Sequence, residues 1–122
     1  MLAERFIKSA VIYVIIGMAL GVHMGMSQDH SQMPAHAHIN LVGWVSMALM
    51  GLIYKTWPKT GEHRLAPLTF WLAHLGLIVM IAGVAMIYAG HAEFEPVAGI
   101  GSLITFANML LFAFLVWRGL QD

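Results

Sequence analysis

Four apolar runs dominate this sequence and restrict it to very few folds. They cover approximately residues 6–26, 38–57, 67–89 and 97–117. Each run is close to the ~20 residues that a helix needs to cross a lipid bilayer. Charged residues make up only 10% of the chain, whereas they make up about 25% of a typical soluble domain. We therefore predict an all-α fold, an integral membrane four-helix bundle that forms a single transmembrane domain over residues 1–122.

The basic residues all lie on one side of this predicted bundle. Lys and Arg occur near the N-terminus, at the second link and after the last run, whereas the first and third links carry Asp29, Glu93 and Glu95 without any base. By the positive-inside rule both termini are expected to be cytoplasmic, in a bacterial inner membrane. Arg5 and Lys8 precede the apolar core of the first run, as in a signal peptide. No small-x-small cleavage site follows, so we expect this helix to be retained.

Composition and motifs exclude several kinds of chemistry. The net charge is zero and the chain has no cysteine. Nothing therefore indicates nucleic-acid binding, and disulfides, zinc ribbons, iron–sulfur ligation and thiol catalysis are ruled out. The sequence has no Gly-rich phosphate loop, no serine nucleophile motif and no carboxylate pair within a run. Glu93 and Glu95 beside His91 could supply hard metal ligands, although a solvated acidic loop is the simpler interpretation.

Metal-binding side chains gather in residues 22–38, VHMGMSQDHSQMPAHAH, which contain four of the seven histidines and three of the ten methionines. The predicted topology places this segment and His91 at the outer rim of the bundle. Imidazole is a common axial ligand of haem, and helical bundles hold cofactors between facing helices. Imidazole and thioether together suit Cu(I). The candidate ligands for haem or copper at this rim are His23, Met24, Met26, His36, His38 and His91.

The two histidines that open the second run are expected to face in different directions. His36 and His38 lie about 200° apart on a regular helix, unless Pro34 makes the entry irregular. The stripe of His36 continues through small or polar residues, namely Asn40, Gly43, Met47, Met50 and Tyr54. The stripe of His38 continues through the aliphatic residues Leu41, Val45, Leu49 and Leu52. The periodicity favours His36 as the inward residue, and either lipid or a porphyrin face could cover the His38 stripe.

His74 is the one histidine predicted to lie within the membrane. It is about eight residues from the inner end of the third run and therefore about 12 Å deep, too far from the outer rim to share a metal with it. An ionisable residue at this depth suggests a function. We consider a structural histidine bonded to Asn108, Ser46 or a backbone carbonyl, a second ligand site, or contact with a haem propionate or bound lipid.

A row of small residues in the first run suggests close helix packing. Gly17, Gly21 and Gly25 form two overlapping G-x-x-x-G steps, which allow two helix backbones to approach closely. The partner helix could belong to the same bundle or to another copy. Glycine is also simply frequent in membrane helices.

The stretch HAHINLVGWVSMALMGLIYKTWP, residues 36–58, resembles the second transmembrane helix of the haem–copper oxidase superfamily subunit I, in particular that of nitric oxide reductase. The matching residues are His38, Asn40, Leu41, Trp44, Gly51, Tyr54 and Pro58; in a second alignment, His36 replaces His38. In that family this helix enters from the outer side and begins with a histidine that ligates low-spin haem b. The resemblance therefore implies a haem b ligand at His38 or His36, with Asn40 and Trp44 close to the cofactor.

The resemblance also limits the function. The family has many more spans, and its later helices supply the other haem ligand and the binuclear-centre ligands. We therefore expect a small b-type haem protein for electron transfer or diatomic-gas binding, and not a stand-alone oxidase. The second axial ligand would come from His23, His91, His74 or a second copy, and the partner would be quinol, a respiratory complex or a periplasmic electron carrier. An outer-face copper protein and an oxidase assembly factor are the alternatives.

Overall fold

The chain forms four long helices in the computed structural model, which describes residues 1–121. They are α1 (Leu2–Ser27), α2 (Met33–Thr56), α3 (Ala66–Tyr88) and α4 (Glu95–Gly119). Each is long and apolar enough to cross a membrane, where a helix satisfies its own backbone hydrogen bonds. The predictions of an all-α fold and of an integral membrane protein are confirmed.

Three of the four helices begin with a proline in their first turn. These residues are Pro34, Pro67 and Pro96. The missing N–H of proline costs nothing there, because the first N–H groups of a helix have no intrahelical acceptor. α2 accordingly begins at Met33 rather than at residue 38. Pro34 therefore starts a regular turn, contrary to the irregular entry considered from the sequence.

The irregular part of α2 comes later. Met33–His38 is α-helical, Ile39–Ser46 forms a π-helix, and Met47–Thr56 is α-helical again. The Ser46 hydroxyl donates to the Leu41 carbonyl at 2.9 Å, across five residues. A π-helical segment widens the helix and is frequently found at functional sites.

Glycines bring the helices together in two antiparallel pairs. In the α3–α4 pair, a Cβ at Gly101 would lie 2.5 Å from the Met80 Cα, and a Cβ at Gly83 would lie 2.7 Å from the Ala98 Cα. In the α1–α2 pair, a Cβ at Gly51 would lie 3.0 Å from the Ala3 carbonyl oxygen. Such backbone contact is possible only where the side chain is missing.

Two apolar clusters join these pairs into a bundle. The larger cluster includes Phe6, Met47, Phe112 and Leu115, so it draws on α1, α2 and α4. The smaller cluster contains Ala35 of α2 together with Leu77, Met80 and Val84 of α3. The bundle is thus held by apolar packing along its length.

The N-terminus, the α2–α3 link and the end of α4 lie at the same end of the bundle. The Lys55 ammonium contacts the Glu4 carboxylate at 2.7 Å, and the Gly119 backbone packs against Thr60. All six basic side chains of the chain belong to this end, which we call the basic end: Arg5, Lys8, Lys55, Lys59, Arg64 and Arg118.

Candidate cofactor site

His36 is held between α1 and α2. Its Nδ1–H donates to the Gly17 carbonyl at 2.7 Å, and the Asn40 amide nitrogen lies 3.3 Å from its Nε2. Gly21 lets the ring approach α1, because a Cβ there would be 2.9 Å from the His36 Cε1. The same amide nitrogen lies 3.5 Å from Nδ1, so it is almost equidistant from the two ring nitrogens. The bond to Gly17 fixes Nδ1, and the Asn40 amide packs against the ring without lying along the Nε2 lone pair.

His38 has one ring nitrogen fixed by the backbone and the other unbound. Its Nδ1–H donates to the Pro34 carbonyl at 2.6 Å, one helical turn earlier. Within residues 1–121, the Nε2 of His38 takes part in no hydrogen bond. A histidine that ligates a metal commonly donates its other ring N–H to a carbonyl, which fixes the tautomer and the ring orientation. His38 has this arrangement.

The two stripes of α2 separate as the periodicity predicts. The His36 stripe faces the protein, with Gly43, Met47, Met50 and Tyr54 buried. The His38 stripe faces away from the other helices, with Leu41, Val45, Leu49 and Leu52 between 41% and 61% exposed. The inward position predicted for His36 is therefore confirmed. His38 lies above an aliphatic surface that this chain leaves uncovered.

The two other predicted cofactor neighbours on α2 have different surroundings. Asn40 is partly buried; its amide oxygen lies against Gly17 and has no hydrogen-bond partner within residues 1–121. Trp44 is partly buried and packs against the larger apolar cluster. Asn40 thus belongs to the His36 contact with α1, and Trp44 belongs to the core.

The remaining rim candidates have different surroundings. His23 and Met26 are exposed, whereas Met24 is buried. The His91 Nδ1 lies 3.3 Å from a Glu93 carboxylate oxygen, and both side chains are exposed. In residues 1–121 no three His, Cys, Asp or Glu side chains come together in a group that could hold a metal ion.

The link between α1 and α2 is shaped by short-range hydrogen bonds. The Ser31 backbone N–H donates to the Asp29 carboxylate at 3.0 Å, and this bond lowers the pKa of Asp29 below its usual range. Gln28 adopts a left-handed conformation and donates to the Gly25 carbonyl at 2.6 Å, which ends α1. His30 is exposed in this link.

His74 pairs with a tyrosine that the sequence reasoning missed. The Tyr13 hydroxyl lies 2.6 Å from the His74 Nδ1, and the Phe70 ring meets the imidazole edge-on at 4.5 Å between centroids. The expected partners are engaged elsewhere, since Asn108 donates to the Thr69 carbonyl and Ser46 to the Leu41 carbonyl. A tyrosine inside an apolar run was the available signal, because a buried phenol usually finds a hydrogen-bond partner.

An apolar cavity of about 300 Å³ lies between α1, α2 and α3, bounded by Tyr13, Ile39 and Leu77 among others. Neither His36 nor His38 lines it. For a haem, the donor chemistry of this chain therefore fits one axial position. His38 offers a free Nε2 beside an aliphatic surface, whereas the His36 ring is packed between α1 and α2, with its Nδ1 bonded to the Gly17 carbonyl and its Cε1 against Gly21.

Comparison with known proteins supports the resemblance noted for α2. The chain is similar to the Cbb3-type cytochrome c oxidase subunit CcoN1 of Stutzerimonas stutzeri, with 30% identity over 117 residues. The match covers 70% of this chain and 24% of the relative. The chain thus spans about a quarter of the length of the curated relative that it matches. No protein-family model and no solved structure gives a significant match.

This match confirms the predicted resemblance to subunit I of the haem–copper oxidases as a distant and partial one. The similarity extends well beyond the 23 residues of 36–58, because it covers 70% of the chain. The four-helix protein is therefore related to a fragment of a much larger oxidase subunit.

Proposed function

We propose that this chain is a small membrane b-type haem protein, related to a fragment of oxidase subunit I and lacking a binuclear centre. His38 is the proposed axial ligand. In this proposal residues 1–122 act as a single transmembrane domain, with both termini on the cytoplasmic side of a bacterial inner membrane. The positive-inside rule supports this orientation, because all Lys and Arg residues gather at the basic end.

The geometry of His38 carries the proposal. Its Nδ1–H is held by the Pro34 carbonyl at 2.6 Å, so its Nε2 is left as the metal-binding lone pair. Its stripe exposes Leu41, Val45 and Leu49, which offer an apolar wall for a flat ring. A bound haem supplies a one-electron couple or an open site for a diatomic gas.

The rest of the haem environment must come from beyond the α2 stripe. A second copy is the proposed source of the other axial ligand, with His23 and His91 as candidates because both are exposed at the same end as His38. Quinol, a respiratory complex or a periplasmic electron carrier is the proposed redox partner. His74 is set apart from this role by its depth, because its position along α3 is too far from the outer rim to share a metal with His38.

The absorption spectrum of the detergent-purified protein tests the proposal. We expect a Soret band and a reduced α-band of b-type haem in the wild type. His38→Ala should lose most of the haem, because the ligand is removed. His36→Ala should keep the haem, and its main effect should be on stability. His30→Ala is the matched control, since His30 is exposed in the α1–α2 link.

Three results would contradict the proposal. Full haem content in His38→Ala would exclude His38 as the ligand. Stoichiometric copper without a Soret band would exclude the haem protein and support the copper-handling alternative. Purified protein with neither cofactor would favour an assembly factor.

A further inference from the structure

A cleft of about 460 Å³ opens at the basic end, between the α2–α3 link and the last turns of α4. It is separate from the histidines discussed above and belongs to no part of the proposed haem site. The residues that line it are Lys59, Glu62, His63, Arg64, Leu115, Arg118 and Gly119.

The charge of this cleft is strongly one-sided. Lys59, Arg64 and Arg118 bring three cationic side chains to it, against the single carboxylate of Glu62. Across residues 1–121, none of these four side chains takes part in a salt bridge. Like charges gathered around one space repel each other, and a bound anion offsets that repulsion.

His63 adds a hydrogen-bond donor to the cleft. The Leu65 backbone N–H donates to the His63 Nδ1 at 3.1 Å, so in the neutral ring the proton resides on Nε2. The ring also meets Phe114 of α4 edge-on, at 5.9 Å between centroids. Both contacts fix the imidazole, so that its Nε2–H is available to donate to an anion.

The walls of the cleft are held rigidly. Gly119 lies so close to the link that a Cβ there would be 2.5 Å from the Thr60 Cα. Leu115 at the base is only 1% exposed. The Thr60 hydroxyl donates to the Trp57 carbonyl at 2.7 Å and fixes the turn that carries Lys59. The cleft therefore exists before any ligand binds.

Exposed aromatic side chains place the cleft at the depth of the lipid headgroups. Trp117 is 75% exposed, and Trp57 and Phe114 are about half exposed. Trp is enriched where a membrane helix meets the interface, and apolar side chains next to the cleft can contact acyl chains. Basic pockets between membrane helices at the cytoplasmic side bind anionic headgroups.

We infer that this cleft binds the phosphate group of an anionic phospholipid, with Lys59, Arg64 and Arg118 as the cationic contacts and His63 as a hydrogen-bond donor. The acyl chains would lie along the exposed face of α4 beside Phe114. The site would fix the α2–α3 link to the end of α4 by way of a lipid.

Lipid titration of the detergent-purified full chain, followed by native mass spectrometry, tests this inference. Phosphatidylglycerol should bind more tightly than phosphatidylcholine. Arg118→Gln should weaken phosphatidylglycerol binding about fivefold, from the ~1 kcal/mol that one base near the surface contributes. Glu62→Gln should strengthen it, because a repelling carboxylate is removed. Lys8→Gln is the control, with the same loss of charge at the basic end but on α1, outside the cleft.

The outcomes distinguish a lipid site from non-specific electrostatic attraction and from a site for a free anion. If Arg118→Gln and Lys8→Gln weaken phosphatidylglycerol binding equally, the effect comes from the overall charge of the basic end and not from the cleft. This result would overturn the inference. Equal binding of the two lipids would do the same. If inorganic phosphate displaces phosphatidylglycerol at similar concentrations, the ligand of the cleft is a free anion and the lipid inference is wrong. Melting temperatures of the variants check that each is folded, and the gain expected for Glu62→Gln cannot arise from misfolding.

Discussion

The glycine row of α1 allows a sharp test of how α1 and α2 pack. Gly17 lies against Asn40 and Gly21 lies against His36, whereas a Cβ at Gly25 would meet nothing within 4 Å. Gly21→Ala and Gly25→Ala are therefore the same chemical change, four residues apart on one helix. Only the first places a methyl group in the contact with α2.

The expected magnitude follows from the contact with His36. The new Cβ would lie 2.9 Å from the His36 Cε1, about 0.6–1.1 Å closer than a comfortable carbon–carbon contact. The ring cannot withdraw freely, because its Nδ1 is bonded to the Gly17 carbonyl at 2.7 Å. Such overpacking costs about 1–3 kcal/mol. Replacing glycine gains up to about 1 kcal/mol in a helix interior. Gly25 lies in the last turn of α1, where the gain is smaller, so it cancels only in part in the difference.

Denaturant unfolding of the two variants in the same detergent gives that difference directly. We expect Gly21→Ala to have a free energy of unfolding about 1–3 kcal/mol lower than Gly25→Ala. Free energies within about 0.5 kcal/mol of each other would refute the packing of Gly21 on α2. If only Gly25→Ala loses an oligomer while its monomer stability is unchanged, the glycine row of α1 instead forms a contact between copies.

Two further variants test other helix contacts. Tyr13→Phe removes the phenol next to the His74 Nδ1 and should lower the free energy of unfolding by about 0.6–1.7 kcal/mol, the range of hydrogen bonds between membrane helices; an unchanged value would mean that this bond contributes nothing. Gly101→Ala should have a lower free energy of unfolding than Gly99→Ala, because its Cβ meets the backbone of Met80 while Gly99 faces open space. This difference should exceed the difference between Gly21→Ala and Gly25→Ala. Equal thermal melting curves for Gly101→Ala and Gly99→Ala would contradict the close α3–α4 contact.

Much of the fold was accessible from the sequence because lipid imposes simple rules. A run of about 20 apolar residues is sufficient to identify a spanning helix, and a period of 3.6 residues separates its faces. Both stripes of α2 were predicted in this way, and the burial of Met47 and the exposure of Leu49 follow them. The position of all bases at one end likewise follows from their spacing between the runs.

Contacts between helices were harder to predict, since they depend on rotation and register that one sequence does not encode. Tyr13 and His74 are 61 residues apart, and neither run carries a pattern that identifies the other as its partner. The π-helical segment Ile39–Ser46 also left no signal, because one widened stretch barely changes the hydrophobic periodicity. The helical repeat placed His36 and His38 apart, but only the structure showed that the His36 ring is bonded to the Gly17 carbonyl of α1.

The position of His38 links haem binding to assembly in the proposed function. Its stripe is exposed along α2, with Leu41 at 61% and Leu52 at 52%, so this chain alone would cover a haem held by His38 only in part. A second polypeptide that covers the rest of the haem would bind the haem-loaded form more tightly than the haem-free form. By mass action the haem would then stabilise the assembly, and the assembly would retain the haem. Dilution in detergent should therefore release haem and separate the copies over the same concentration range. Haem that stays bound to a fully monomeric chain would require both axial positions to be filled from within one copy.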